Sequence, residues 1–153
     1  MKRRIKAAVP ACAAGALAPL LFTTAAQADG PVYFSMNSGS FQCAISPDGS
    51  VGCDTSAKMM SMKIGGGNLM LPFRVSQVVI DVPWAPAHPG FAAGAVYTRS
   101  GGNPDISTLA TGHDMWGPSI TYAGATCAEG FHGSVSCQSK GHSWSYYEMI
   151  TAS

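Results

Sequence analysis

Two stretches of this chain have nearly the same sequence, and they restrict its fold more than any other feature. Cys43-Ala-Ile-Ser-Pro-Asp-Gly-Ser-Val-Gly-Cys53 is echoed by Cys127-Ala-Glu-Gly-Phe-His-Gly-Ser-Val-Ser-Cys137. Each runs eleven residues from cysteine to cysteine, and six positions are identical: both Cys, the Ala after the first, and the Gly-Ser-Val near the end. Pro47-Asp48-Gly49 and Phe131-His132-Gly133 sit at the centres, each with Gly last, where a three-residue hairpin loop needs positive φ. Placing Ser46 opposite Ser50 sets Cys43 opposite Cys53, and the same register sets Cys127 opposite Cys137. Directly opposed residues have Cα atoms roughly 4.5–5.5 Å apart, within disulfide reach at the closer, non-hydrogen-bonded type of pair. This register favours Cys43–Cys53 and Cys127–Cys137, while the two crossed connectivities stay open, since four cysteines allow three pairings. A four-thiolate metal site needs shorter Cys-x2–4-Cys spacings than these.

The N-terminal residues read as a delivery signal. Lys2, Arg3, Arg4 and Lys6 are followed by an apolar run from Ala7 to about Phe22, then by the small-x-small pattern Ala26-Gln27-Ala28. Residues 1–28 are therefore expected to be a signal peptide, removed before Asp29 together with Cys12, leaving residues 29–153 as a single secreted β domain. Pro10 and Pro19 and the shortness of the run argue against a retained membrane span. Beyond Ala28 only Lys58, Lys63, Arg74, Arg99 and Lys140 are basic, against eight acidic residues, a net charge of −3 with neutral His. Such a chain lacks the basic patch that nucleic acid or an anionic membrane surface requires. An even set of four cysteines behind a signal peptide implies an oxidising, extracytoplasmic setting.

Short strand-prone runs separated by Gly, Pro and Asn fill the rest of the chain. Val75 to Val82 is the strongest strand signal, and Val32-Tyr33-Phe34, Ala92 to Thr98 and Ser119 to Tyr122 are further candidates. Lys58 to Ile64 fits a strand or one helical turn, and Ile106 to Ala110 is undecided. Ser143 to Ile150 reads as a closing strand with Trp144, Tyr146 and Ile150 on one face. Pro83 to Phe91, with three prolines and a glycine, is excluded from a helix interior or a central strand and reads as an extended loop. Thr111 to Pro118 is another loop. With no amphipathic helix of normal length, the expected fold is all-β: a small antiparallel sandwich or barrel with long loops, stapled by two disulfides.

The candidate chemistry is sparse. His88, His113, His132 and His142 lie in predicted loops or turns without ligand-pair spacing, so a metal site would have to be assembled by folding, with His132 and His142 approaching each other and His113-Asp114 joining them. Met59-Met60-Ser61-Met62, with Met70 nearby, resembles thioether-rich copper(I) runs, although Met also fills irregular cores. A hydrolase would show a Gly-x-Ser-x-Gly elbow or a His-Glu-x-x-His helix, and neither occurs; pairs such as Asp105 and Asp114 or Glu129 and Glu148 have no spacing that singles them out. The most suggestive residues are Trp84, Phe91 and Trp116, which stand beside Pro and Gly in loops, where aromatics stack on sugars or anchor partner proteins.

The signal, the paired hairpins and the ending Cys137-Gln-Ser-Lys-Gly-His142-Ser-Trp144 resemble small exported proteins of mycobacteria and related actinobacteria. That resemblance implies a cell-envelope or culture-filtrate location and assigns no site residues. The sequence thus leads to a non-enzymatic binding protein that needs no cofactor and recognises an envelope glycan or protein partner through the loops holding Trp84, Phe91, His113 and Trp116. Extracytoplasmic binding of copper or zinc, and cell-wall hydrolysis, are the alternatives.

Overall fold

The computed structural model describes residues 30–113 and 115–153, so the expected signal peptide lies outside the described residues. Thirteen strands and one helical turn follow one another: β1 (Val32–Met36), β2 (Phe41–Ile45), β3 (Val51–Lys58), β4 (Met60–Ile64), β5 (Gly67–Met70), β6 (Val75–Ile80), β7 (His88–Pro89), α1 (Ile106–Leu109), β8 (Gly112–His113), β9 (Pro118–Tyr122), β10 (Ala125–Glu129), β11 (Val135–Ser139), β12 (His142–Tyr146) and β13 (Ile150–Ala152). They build a five-stranded sheet, in the order β1-β2-β3-β6-β7, and an eight-stranded sheet, in the order β5-β4-β13-β12-β11-β10-β9-β8. Among the described residues every strand pairing is antiparallel except β13 with β4. The chain crosses from the smaller sheet to the larger at Met59. The fold is all-β, and both disulfides are the intra-hairpin ones, Cys43–Cys53 and Cys127–Cys137.

The hairpins take the register that their turns dictate. Ser46 N–H donates to the Ser50 carbonyl at 2.8 Å, and Gly49, at φ +80°, closes the loop. Ladder alternation from that bonded pair makes Cys43 and Cys53 a non-hydrogen-bonded pair, with Cα atoms 4.0 Å apart. The second hairpin repeats this around a 3-10 turn at Phe131–Gly133, with Gly130 N–H on the Ser134 carbonyl and a Cα separation of 4.1 Å. Each cystine then lies in a row of inward-facing residues. Phe34, Cys43, Cys53 and Val78 cross the smaller sheet, and Ile120, Cys127, Cys137 and Trp144 cross the larger. The two rows belong to one buried cluster, in which the Phe41 ring stacks on Trp144 at 5.5 Å.

The hairpin tips lock the halves together. Ser139 Oγ donates to the Gly49 carbonyl at 2.6 Å in a buried contact, and Lys140 Nζ approaches Asp48 at 3.4 Å. At the opposite ends of the strands, Asn37 N–H donates to Glu129 Oε1. Gly49 has a second reason to be glycine: a Cβ there would stand 2.6 Å from the Ala123 carbonyl oxygen.

The structure corrects several sequence expectations. Ala92 to Thr98 is not a strand. It is part of a loop laid over the outer face of the smaller sheet and held by side chains beneath it. Buried Asp54 accepts from Tyr97 N–H at 2.7 Å and Thr98 Oγ1 at 2.8 Å; Gln77 donates to Asp54 and to the Gly94 carbonyl. Asn103 pins the far end by donating to the Phe34, Cys43 and Tyr97 carbonyls. Backbone groups satisfied in this way have no need of a ladder. Ser143 to Ile150 is not one strand but two, since the chain reverses at Tyr147–Met149 to pair Tyr146 with Ile150. The burial pattern survives the reversal because Trp144 pairs with Ala152 and all four residues still face inward. The Pro-rich loop and the Thr111–Pro118 loop each contribute a two-residue edge strand, β7 and β8. Lys58 to Ile64 is extended but divided at Met59, Lys58 ending β3 and Met60–Ile64 forming β4, and Ile106 starts a single helical turn capped by Asp105, whose carboxylate is held below its usual range by hydrogen bonds from Ser107.

Candidate functional site

The larger sheet is three strands wider than the smaller, and the Met62–Ile64 end of β4 faces the connection out of β6. Between them lies a cleft of about 500 Å³ lined by Met62 and Ile64 from β4 and by Asp81, Val82, Trp84, Ala85, Pro86 and His88 from the connection out of β6. Sequence dictates this connection. Pro83 and Pro86 deny it ladder donors, so it bows away from the sheet before His88 and Pro89 rejoin β6 at Val79 and Val78. Trp84 stands 82% exposed at the mouth. The floor is apolar, and its polar groups come from one wall.

That wall carries an ion pair. His88 Nε2 lies 2.9 Å from Asp81 Oδ1, and its Nδ1 is 3.0 Å from the Pro89 carbonyl. Burial opposes a charge on the ring, but the Pro89 carbonyl and the Asp81 carboxylate outweigh it, so the His88 pKa is raised above 6.5. A folded-state pKa above the unfolded value means that the pair stabilises the fold below about pH 6.5 and that this contribution fades as pH rises through the folded pKa. An NMR titration of the His88 ring is expected to give a midpoint above 6.5 that falls in Asp81→Asn. A parent midpoint at or below 6.5 would show that the pair holds no extra proton.

The four residues singled out from the sequence do not come together. Trp84 and exposed Phe91 flank β7. His113 is in β8, six strand spacings from β4 across the larger sheet, roughly 29 Å. Trp116 is on that far side, edge-to-face with Phe131 at 5.5 Å. The histidines are also dispersed. His132 and His142 lie at opposite ends of β11, with His142 Nε2 against the Pro83 carbonyl. The methionine run is divided by strand alternation, with Met60 and Met62 buried in the core. No group of three His, Cys, Asp or Glu side chains able to hold a metal ion occurs among the described residues. Asp114 lies outside them.

Sequence reasoning missed the cleft because its walls come from the Met run and the Pro-rich loop, about twenty residues apart and placed by strand pairings in different sheets. It also missed the outer face of the larger sheet, where Ser119, Ala128, Ser136, Ser145, Thr151 and Ser61 stand in one cross-strand row. A shallow depression of about 430 Å³ lies over part of that row. No helix among the described residues is long and apolar enough to cross a membrane. The chain matches no protein-family model, and no curated protein or solved structure matches it.

Proposed function

We propose that this chain is a secreted cell-envelope protein without catalytic activity, of the kind exported by mycobacteria and related actinobacteria, and that it binds a protein partner through the Trp84 cleft. The observation that carries the reading is the combination of a largely exposed Trp with an apolar floor of Met62, Ile64, Val82 and Pro86. Such a cleft suits an apolar side chain of a polypeptide, with Trp84 as the anchor. A glycan asks for hydrogen-bonding groups on several sides of each ring, and here they come from the Asp81–His88 wall alone. The two disulfides fit an oxidising extracytoplasmic compartment.

Co-sedimentation of the oxidised, exported protein with actinobacterial cell wall, before and after the wall is stripped of protein, tests the reading. Binding is expected to disappear on stripping and to weaken at least about tenfold in Trp84→Ala, while Trp116→Ala binds like the parent. Binding that survives stripping makes the ligand a glycan. Binding indifferent to Trp84→Ala rules out the cleft.

A further inference from the structure

The strand that ends the larger sheet has an open edge of an unusual kind. Leu71 N–H donates to the Met60 carbonyl at 2.9 Å, which fixes the phase of the β4–β5 ladder. By alternation Leu69 and Gly67 also turn their backbone groups toward β4, at Met62 and Ile64. Asn68 and Met70 therefore direct their N–H and C=O groups outward, away from the sheet. Open edges are ordinarily guarded by shortness, Lys, Pro, a bulge or a covering loop. β5 is short and Pro72 closes its far end, but Gly67-Asn68-Leu69-Met70 itself contains neither charge nor proline, and all four residues are exposed.

We infer that β5 pairs antiparallel with β5 of a second copy of this chain about a two-fold axis through Leu69, joining two eight-stranded sheets into one. The register is set by the free groups. A two-fold axis perpendicular to the sheet opposes residues on the same face, so it must pass through a residue rather than between two. With Leu69 opposite Leu69 of the second copy, Asn68 opposes Met70 twice, and the four outward N–H groups meet the four outward carbonyls as two bonded pairs. Centring on Asn68 instead would set Met70 against Gly66, a turn residue at φ +86°. In the Leu69 register the two Leu69 side chains form the close, non-hydrogen-bonded pair.

The apolar surface along this edge agrees with a second copy as the occupant. Leu69, Met70 and Phe73 are each about half exposed, at 50%, 51% and 46%. Together they offer roughly 260 Å² of apolar side chain, taking about 150–200 Å² for each in full. A standard homodimer patch of about 800 Å² per partner is about 65% apolar. The edge supplies around half of that apolar share, which corresponds to a reversible dimer rather than a permanent one. Pairing also places one Trp84 cleft on each side of the axis, a bivalent arrangement for any ligand displayed at high density.

Two measurements on the oxidised, exported protein decide the matter. Leu69→Cys is expected to give a disulfide-linked dimer on mild oxidation, because the opposed Cα atoms fall within cystine reach. Asn68→Cys faces Met70 and is expected to remain largely uncrosslinked. By sedimentation equilibrium the parent is expected to pass from one chain to two between about 1 and 100 µM. Leu69→Lys, present twice at the axis, is expected to weaken association at least about tenfold, and Met70→Pro, which removes a donor, to weaken it as well. A parent monomeric at 100 µM, or an Asn68→Cys variant that crosslinks as readily as Leu69→Cys, overturns the inference. Wall binding that depends on Trp84 would stand in either case.

Discussion

Loss of both disulfides is expected to bring this protein to the brink of unfolding at 25 °C. Each bridge closes residues ten apart in sequence. In the chain-entropy model, constraining a loop of that size in the unfolded state contributes about 2–3 kcal/mol. Both cystines are buried, so replacing them also removes packed sulfur from the core shared by the two sheets. Together the losses reach about 4–6 kcal/mol, near the lower end of the entire stability of a typical domain. The Cys43→Ala/Cys53→Ala and Cys127→Ala/Cys137→Ala variants are expected to remain folded, each with a urea midpoint lowered in keeping with about 2–3 kcal/mol. The four-fold variant, or parent reduced in denaturant and refolded with its thiols blocked, is expected to be largely unfolded or marginal. The cystines would be dispensable if the reduced, blocked protein kept the parent's urea midpoint.

The legibility of these bridges in the sequence has a local cause. A hairpin whose turn is fixed by Pro47-Asp48-Gly49 or Phe131-His132-Gly133 has its register fixed within eleven residues, and that register alone brings the sulfurs together. The same holds for the strand assigned to Val75–Val82, which appears as β6. What could not be read is what depends on distant partners. Ala92–Thr98 has strand-prone residues, but its backbone is satisfied by Asp54, Gln77 and Asn103, and nothing near it in sequence announces them. The parallel pairing of β13 with β4 joins residues ninety apart and puts Met60 in the core and Met62 between core and cleft floor. Trp84, Phe91 and Trp116 stand beside Pro and Gly in loops, a setting that does not by itself decide between an exposed ring and one folded back over a sheet end, and all three are exposed. Their division between the β7 edge of the smaller sheet and the β8–β9 end of the larger follows from strand order, a property of the whole chain.

The other large effect is expected at Trp144. Its ring is 1% exposed in β12 and stacks on Phe41 from the facing sheet, with 24° between the planes, while Phe41 also meets Tyr146 at 5.0 Å. This stack is where the sheets carrying the two cystines touch, so truncation opens a cavity that neither strand can close alone. Trp144→Ala is expected to cost about 3–5 kcal/mol. Trp144→Phe keeps an aromatic ring against Phe41. It also forfeits no hydrogen bond, because Trp144 Nε1 is buried without a partner among the described residues. A cost of about 1–2 kcal/mol is therefore expected for the Phe variant, from lost ring area alone. Adding Phe41→Ala completes a double-mutant cycle with Trp144→Ala, and a coupling of about 0.5–1.5 kcal/mol is expected between the rings. Urea unfolding followed by near-ultraviolet circular dichroism and by intrinsic fluorescence measures all three. Equal costs for Trp144→Phe and Trp144→Ala would mean that the indole contributes through a contact other than the stack, and zero coupling would separate the two rings energetically.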